Sequence, residues 1–146
     1  MSEYPTADDC IFCKIVAGDV PAALIFEDDN LLGLMDAFPS SRGHALVIPK
    51  GHYPDVHAMP PAILAECSLA VQRLARAAHA TFEPDGISIL QFNGAAAGQG
   101  VFHYHQHVVP RWEGQDWQAH GEQQAEHGEL LDLAASLRKA YDAVEQ

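Results

Sequence analysis

Three histidines, His103, His105 and His107, alternate with other residues in Gly98-Gln99-Gly100-Val101-Phe102-His103-Tyr104-His105-Gln106-His107-Val108-Val109-Pro110. Residues two apart share one face of a strand. Alternation therefore predicts the three imidazoles and Val109 on one face of a strand, with Phe102, Tyr104, Gln106 and Val108 on the other. Burying a row of imidazoles is costly unless each finds a partner, so the row asks for a chemical explanation. A strand advances roughly 3.3 Å per residue, which puts neighbours in the row about 6.6 Å apart and the outer pair about 13 Å apart. A metal ion holds its ligands about 2 Å away and cannot span that row. Separate tasks are expected for the three. The row sits inside an apolar strand pattern and away from either terminus, unlike a purification tag. Gly98 and Gly100 let the backbone approach a ligand closely, as in loops that offer N–H groups to phosphate. Cys10-x-x-Cys13 has the spacing of half a zinc site.

The rest of the chain must position these groups. Its 146 residues suffice for one domain with a real core, and 48% of them are hydrophobic, which predicts a globular chain rather than a disordered one. The formal charge of −12 argues against general nucleic-acid binding, which needs a basic face. A small anionic ligand held by local N–H groups is compatible with it. Residues 1–9 lack a signal-peptide pattern, and no apolar run approaches the roughly 20 residues that span a membrane. Three cysteines without a disulfide framework suggest a reducing compartment, and a cytoplasmic location is expected.

Local patterns predict a short helix over 10–17, capped by Asp8 or Asp9 and ended by Gly18. Strands are predicted at 23–27 and 31–35, joined as a hairpin by Asp28-Asp29-Asn30. Asp36 follows where the second strand ends. Further strands are predicted at 44–48 and 87–92, before the histidine strand. A long amphipathic helix is predicted over 62–82 with Pro61 suited to its first turn, and a final helix over 129–144. That order gives an α+β domain with a five-stranded, mostly antiparallel sheet. Cys67 is expected in the core, and His44 in a structural hydrogen bond. His57, His79, His120 and His127 are expected in solvent.

The run His103-Tyr104-His105-Gln106-His107-Val108-Val109 resembles the His-φ-His-φ-His-φ-φ signature of the histidine triad (HIT) nucleotide hydrolases and transferases, with Gln106 at an apolar position. Cys10 through Ile15, Phe26-Glu27-Asp28, Asp36, Gly43 through Lys50 with His52, and Asn93 through Arg111 also resemble family patterns in order and spacing. The resemblance covers residues 9–111 and implies a single HIT domain, with 112–146 as a C-terminal extension. It implies the HIT-like fold, with the long helix packed on the sheet and a homodimer joined through that helix and an edge strand.

The resemblance also implies roles. His105 matches the nucleophile, whose ring nitrogen attacks the α-phosphorus of a nucleotide and forms a nucleotidyl-histidine that water resolves. A backbone carbonyl bonded to Nδ1–H would leave Nε2 free to attack. His107 and the backbone of Gly98, Gln99 and Gly100 are expected to hold phosphate oxygens, and Gln99 to contact phosphate or leaving group. Asn93 is expected at ribose or phosphate, and Asp36 at the ribose hydroxyls. Phe12, Ile15, Ile25 and Leu34 are candidates for an apolar pocket holding a purine base with weak discrimination, and core packing is the alternative for each. His52 and His103 would complete Cys10 and Cys13 as a structural zinc site, and the alternative is two free thiols and two hydrogen-bonded histidines. No catalytic cofactor is implied. Phosphoramidates, adenylates and dinucleoside polyphosphates all remain open as substrates, and Gly100 stands where phosphoramidase relatives carry a serine. Arg111 is left between a phosphate contact and an edge salt bridge, and Trp112 and Trp117 between a pocket and a subunit contact. The competing reading is a zinc-stabilised nucleotide-binding or interaction protein with little turnover.

Overall fold

The computed structural model describes residues 3–144. Helix α1, Ile11–Ala17, leads into the hairpin β1, Leu24–Glu27, and β2, Leu31–Met35. The hairpin turn is closed by Asp28, whose Oδ1 accepts from Asn30 N and Leu31 N at 2.9 and 2.8 Å. Strand β3, Ala45–Pro49, is followed by α2, Pro61–Phe82. Then come β4, Gly86–Leu90, β5, Gln106–Arg111, and α3, His127–Ala143. The strands form one sheet in the order β1-β2-β3-β5-β4, and every pairing is antiparallel.

Both faces of this sheet are covered, so β2 and β3 are buried along their whole length. Alternation sorts their side chains. Leu31, Met35, Ala45 and Val47 join Val108 beneath α2 and α3, against Cys67, Leu74, Ala78 and Leu137. Leu32, Leu34, Leu46 and Ile48 face the other way, toward Phe12, Cys10 and Cys13 of the α1 segment. The register sets Leu34 opposite Leu46 and Leu46 opposite His107. His107 therefore lies on the α1 side, where the sheet is only partly covered.

Three sequence expectations change. Helix α1 is capped by Cys10, whose Sγ accepts from Cys13 N at 3.4 Å, and by neither Asp8 nor Asp9. Strand β4 stops at Leu90, because Gln91 and Asn93 bond each other side chain to side chain beyond it. The histidine strand starts at Gln106, so His103 and His105 lie outside the ladder. The reason is partly tertiary. Tyr104 N donates to Tyr53 O at 2.7 Å, and His103 O accepts from the His105 ring, so neither group is available for pairing. The predicted faces hold there nonetheless: Tyr104 joins Val108 in the core under α2 and α3, while the rings of His103 and His105 meet Phe12 on the other side. Among the described residues, no helix is long and apolar enough to cross a membrane.

Candidate active site

His105 sits where the glycine loop enters β5. Its Nδ1 donates to its own chain at His103 O, 2.7 Å away. A neutral imidazole bonded this way has its lone pair on Nε2. Burial lowers the pKa of His105, against the opposing pull of the His103 carbonyl, and so favours that neutral form. Phe12 meets the ring edge-on, with centroids 5.1 Å apart.

A chain of hydrogen bonds fixes the proton on His107. Ser40 N donates to His44 Nδ1 at 3.0 Å, so neutral His44 carries its proton on Nε2. That Nε2 lies 2.9 Å from His107 Nδ1 and 3.3 Å from Asp36 Oδ2. His107 Nδ1 must then accept, and its proton is on Nε2. This Nε2 is buried and has no hydrogen-bond partner, a costly state for a donor unless a ligand accepts from it. Burial, with the Arg111 charge, pushes His44 down to about 3, and burial with the neighbouring His105 pushes His107 down to about 2. Both are neutral near pH 7, so the contact of His44 Nε2–H with Asp36 is not an ion pair, and His107 Nδ1, 3.9 Å from Asp36 Oδ2, makes no hydrogen bond to it. Asp36 is raised to about 6 by burial, partly offset by the Phe38 N–H that its Oδ1 accepts at 2.8 Å.

Cys10, Cys13, His52 and His103 converge, with one ligand atom from each within 4.8 Å of the others. His103 Nδ1 is 3.4 Å from Cys10 Sγ and 3.6 Å from Cys13 Sγ, and His52 Nδ1 is 3.5 Å from Cys13 Sγ. Tetrahedral zinc with Zn–S about 2.3 Å and Zn–N about 2.0–2.1 Å has S···N edges of about 3.5 Å. His103 Nε2 donates to Pro49 O at 2.8 Å, which turns the Nδ1 lone pair toward the thiols. The four residues fit the ion in number, type and tautomer.

A cavity of about 640 Å³ opens beside His105 and His107. Phe12, Ile15, Leu34 and Leu46 form its apolar wall, with Asp36 and Gly100 also lining it. Ile25 is instead fully buried in the core under the helices. The cavity lining does not include Asn93 or Gln99. Asn93 Oδ1 accepts from Val56 N at 2.7 Å and from Gln91 Nε2 at 2.8 Å. Gln99 Oε1 accepts from Gly94 N, and its Nε2 donates to Pro54 O and Val101 O. These amides pin the loop, which turns at Gly98 with φ +107°. Arg111 meets neither expectation: it bonds Ser88, Ser40 and the Gln118 carbonyl and lies over the Trp117 ring. Trp112 packs on the core, and Trp117 is exposed. Cys67 is buried as expected, its thiol pushed up to about 12 by that burial.

His120 has a placement that the sequence did not predict. It is solvent-accessible, yet it lines the cavity, with its ring 5.4 Å from that of His107. Gln124, Ala125 and His127 line the cavity as well, so the extension after β5 supplies one wall. No periodicity marks this polar stretch; its only sequence signal is a histidine beside a glycine in a segment without other apolar pattern.

A HIT domain model matches residues 17–114. Protein hit of Bacillus subtilis is 39% identical over 138 residues, which cover 91% of this chain and 94% of that one. Adenylylsulfatase HINT3 of Arabidopsis thaliana is 40% identical over 129 residues, covering 88% of this chain and 65% of that protein. The crystal structure of a Zn-bound histidine triad family protein from Mycobacterium smegmatis superposes with a TM-score of 0.81 at 41% identity, covering 92% of this chain and 94% of that one. With a matching family model, a relative aligned over nearly its whole length and the same fold in a solved structure, this chain belongs to the HIT domain family.

Proposed function

We propose that the protein is a nucleotide hydrolase or transferase that works through a covalent nucleotidyl-His105. The observation that carries this reading is the pairing of a free Nε2 on His105 with a buried, unpartnered Nε2–H on His107, on two residues that line one cavity. One nitrogen is arranged to attack and the other to donate. In the first step the His105 Nε2 lone pair forms a bond to the α-phosphorus, and the bond from phosphorus to the leaving group breaks. Water then attacks phosphorus, and the N–P electrons return to Nε2. His107 Nε2–H and the N–H groups around Gly98, Gln99 and Gly100 would stabilise the phosphoryl oxygens as charge develops.

Asp36 would take the ribose hydroxyls with the lone pairs that Phe38 and His44 leave free. Phe12, Ile15 and Leu34 would enclose a purine base. The activity named for the Arabidopsis relative, adenylylsulfatase, is a hydrolysis at an adenylyl phosphate and is compatible with this scheme. A structural zinc on Cys10, Cys13, His52 and His103 would clamp α1 to the loop that carries His105, and the zinc-bound relative supports it. The chemical steps use no metal. We assign the chain to a single domain, a cytoplasmic location and a homodimer. The dimer contact would use β4, which is a sheet edge, and α2, where Ile89 and Leu69 are exposed.

The test is mass spectrometry after a denaturing, alkaline quench of a reaction with a slow adenylyl substrate. The expected result is a nucleotidyl adduct on His105, with His105→Ala losing adduct and turnover by at least about 10³-fold while still binding nucleotide. Nucleotide binding without adduct or product across phosphoramidates, adenylates and dinucleoside polyphosphates would favour a binding protein instead.

A further inference from the structure

The segment after β5 is tied over the cavity at three points. Arg111 Nη2 donates to Gln118 O at 2.7 Å, Gly121 N to Phe38 O at 3.2 Å, and Ala125 N to Ala37 O at 2.9 Å. A Cβ on Gly121 would stand 2.1 Å from Pro39 O, so the strap passes closer than any side chain permits. Between the first two ties, His120 turns inward. Its Nε2 donates to Gly98 O at 3.0 Å, and its ring packs between those of Phe92 and His107. Since Nε2 is committed, Nδ1 is the nitrogen left for a ligand.

The reaction proposed above needs a proton for the departing group, and outside the triad the imidazoles lining the cavity are His120 and His127, of which His120 packs on His107. His105 must be a bare nucleophile, and His107 offers its one proton to phosphate. Asp36 accepts from Phe38 and faces His44. Gly100 reaches the cavity without a side chain, and nothing lies within 4 Å of where its Cβ would stand. A charge on His120 opposes protonation of His44, His105 and His107 and favours the carboxylate form of Asp36, as a residue sharing their cavity should.

Resting on the nucleotidyl-transfer reading, we propose that His120 is a catalytic residue that acts as an imidazolium, keeping its Nε2–H on Gly98 O and protonating the leaving group from Nδ1. As the His105 Nε2–P bond forms, the pair of the breaking bond goes to the leaving atom, which takes the Nδ1 proton and departs neutral. His120 is then a neutral acceptor. It takes one proton from the water that attacks phosphorus, as the N–P pair returns to His105. The cycle consumes one water and leaves both histidines as they began. General acid help matters most for a basic leaving group, so the favoured substrates are nucleotides whose α-phosphorus carries an alkylamine or alcohol.

Two adenylyl substrates test this: an alkylamine phosphoramidate of AMP and the p-nitrophenyl ester of AMP, whose leaving group needs no proton. His120→Gln and His120→Ala should lose about 10²-fold in kcat/KM on the phosphoramidate and less than about 3-fold on the nitrophenyl ester. Gly121→Ala, which lifts the strap, should show the same selectivity. Equal losses on both substrates, or no loss on either, would overturn the role of His120. The nitrophenyl ester separates the two claims: a wild-type enzyme that forms no adduct with it overturns the nucleotidyl-transfer reading itself.

Discussion

Among the described residues, two clusters bring metal-ligating groups within 4.8 Å of one another: Cys10, Cys13, His52 and His103, and Asp36, His44 and His107. By residue type either would suit zinc. The backbone distinguishes them. At His103 the Pro49 carbonyl takes the Nε2 proton and frees Nδ1 for a metal. At His44 the Ser40 N–H occupies Nδ1, so Nε2 keeps its proton and offers no lone pair. The first cluster has the free lone pairs that a cation would need. The second passes a hydrogen-bond polarity from a backbone N–H through two imidazoles to an unpartnered donor in the cavity. One backbone contact per histidine sets which ring nitrogen carries the proton in each cluster.

The comparison can be broken most forcefully at the cysteines. Cys10→Ser/Cys13→Ser should lower the melting temperature by about 10 °C or more, a loss of roughly 3–5 kcal/mol. Nucleotide turnover at a permissive temperature should stay within about 3-fold of wild type. An unchanged melting temperature would remove zinc from the scaffold.

Acid should act on the second cluster. His44 and His107 have folded pKa values near 3 and 2, below the unfolded value near 6.5. The unfolded chain therefore binds more protons, and their contribution is full above pH 6.5 and lost as the pH falls toward 3. Asp36, raised to about 6, acts in the opposite sense, stabilising below its unfolded value and losing that as pH rises through 6. Two histidines against one carboxyl leave a net loss on the order of 2 kcal/mol at pH 5 relative to pH 7. Buried His103, lowered to about 4, and His105 act in the same sense, so thermal melts of the metal-free double serine variant should show at least this loss, and a flat profile would contradict it.

A smaller effect is expected at His44→Ala. Freed from its partner, His107 can place its proton on either nitrogen, and kcat should fall about 10–30-fold with KM within about 2-fold. A rise in KM alone would make His44 a binding residue. The least change is predicted for added zinc. Metal analysis of untagged protein should give one ion per chain even with excess zinc, because the second cluster has no lone pair on His44.

Much of this was legible in the chain. The apolar runs from Leu31 to Met35 and from Ala45 to Ile48, the long run from Pro61 to Phe82 and the Cys-x-x-Cys spacing each carry a local signal that the fold honours. The break in the histidine strand was not legible, because it depends on a Tyr53 carbonyl that only the tertiary fold brings to Tyr104. Gln99 and Asn93 illustrate the same limit, since an amide in a loop has the same sequence signature whether it meets ligand or pins backbone. His120 was hidden for a different reason. It lies in a polar strap without periodicity, and its position is set by long-range ties to Arg111, Phe38 and Ala37.

Histidine tautomers measured by ¹⁵N-edited NMR test the central claim most directly. The predicted result is a proton on Nδ1 of His105 and on Nε2 of His44, His103 and His107. A proton on Nε2 of His105, or on Nδ1 of His107, would contradict the assignment of attacker and donor.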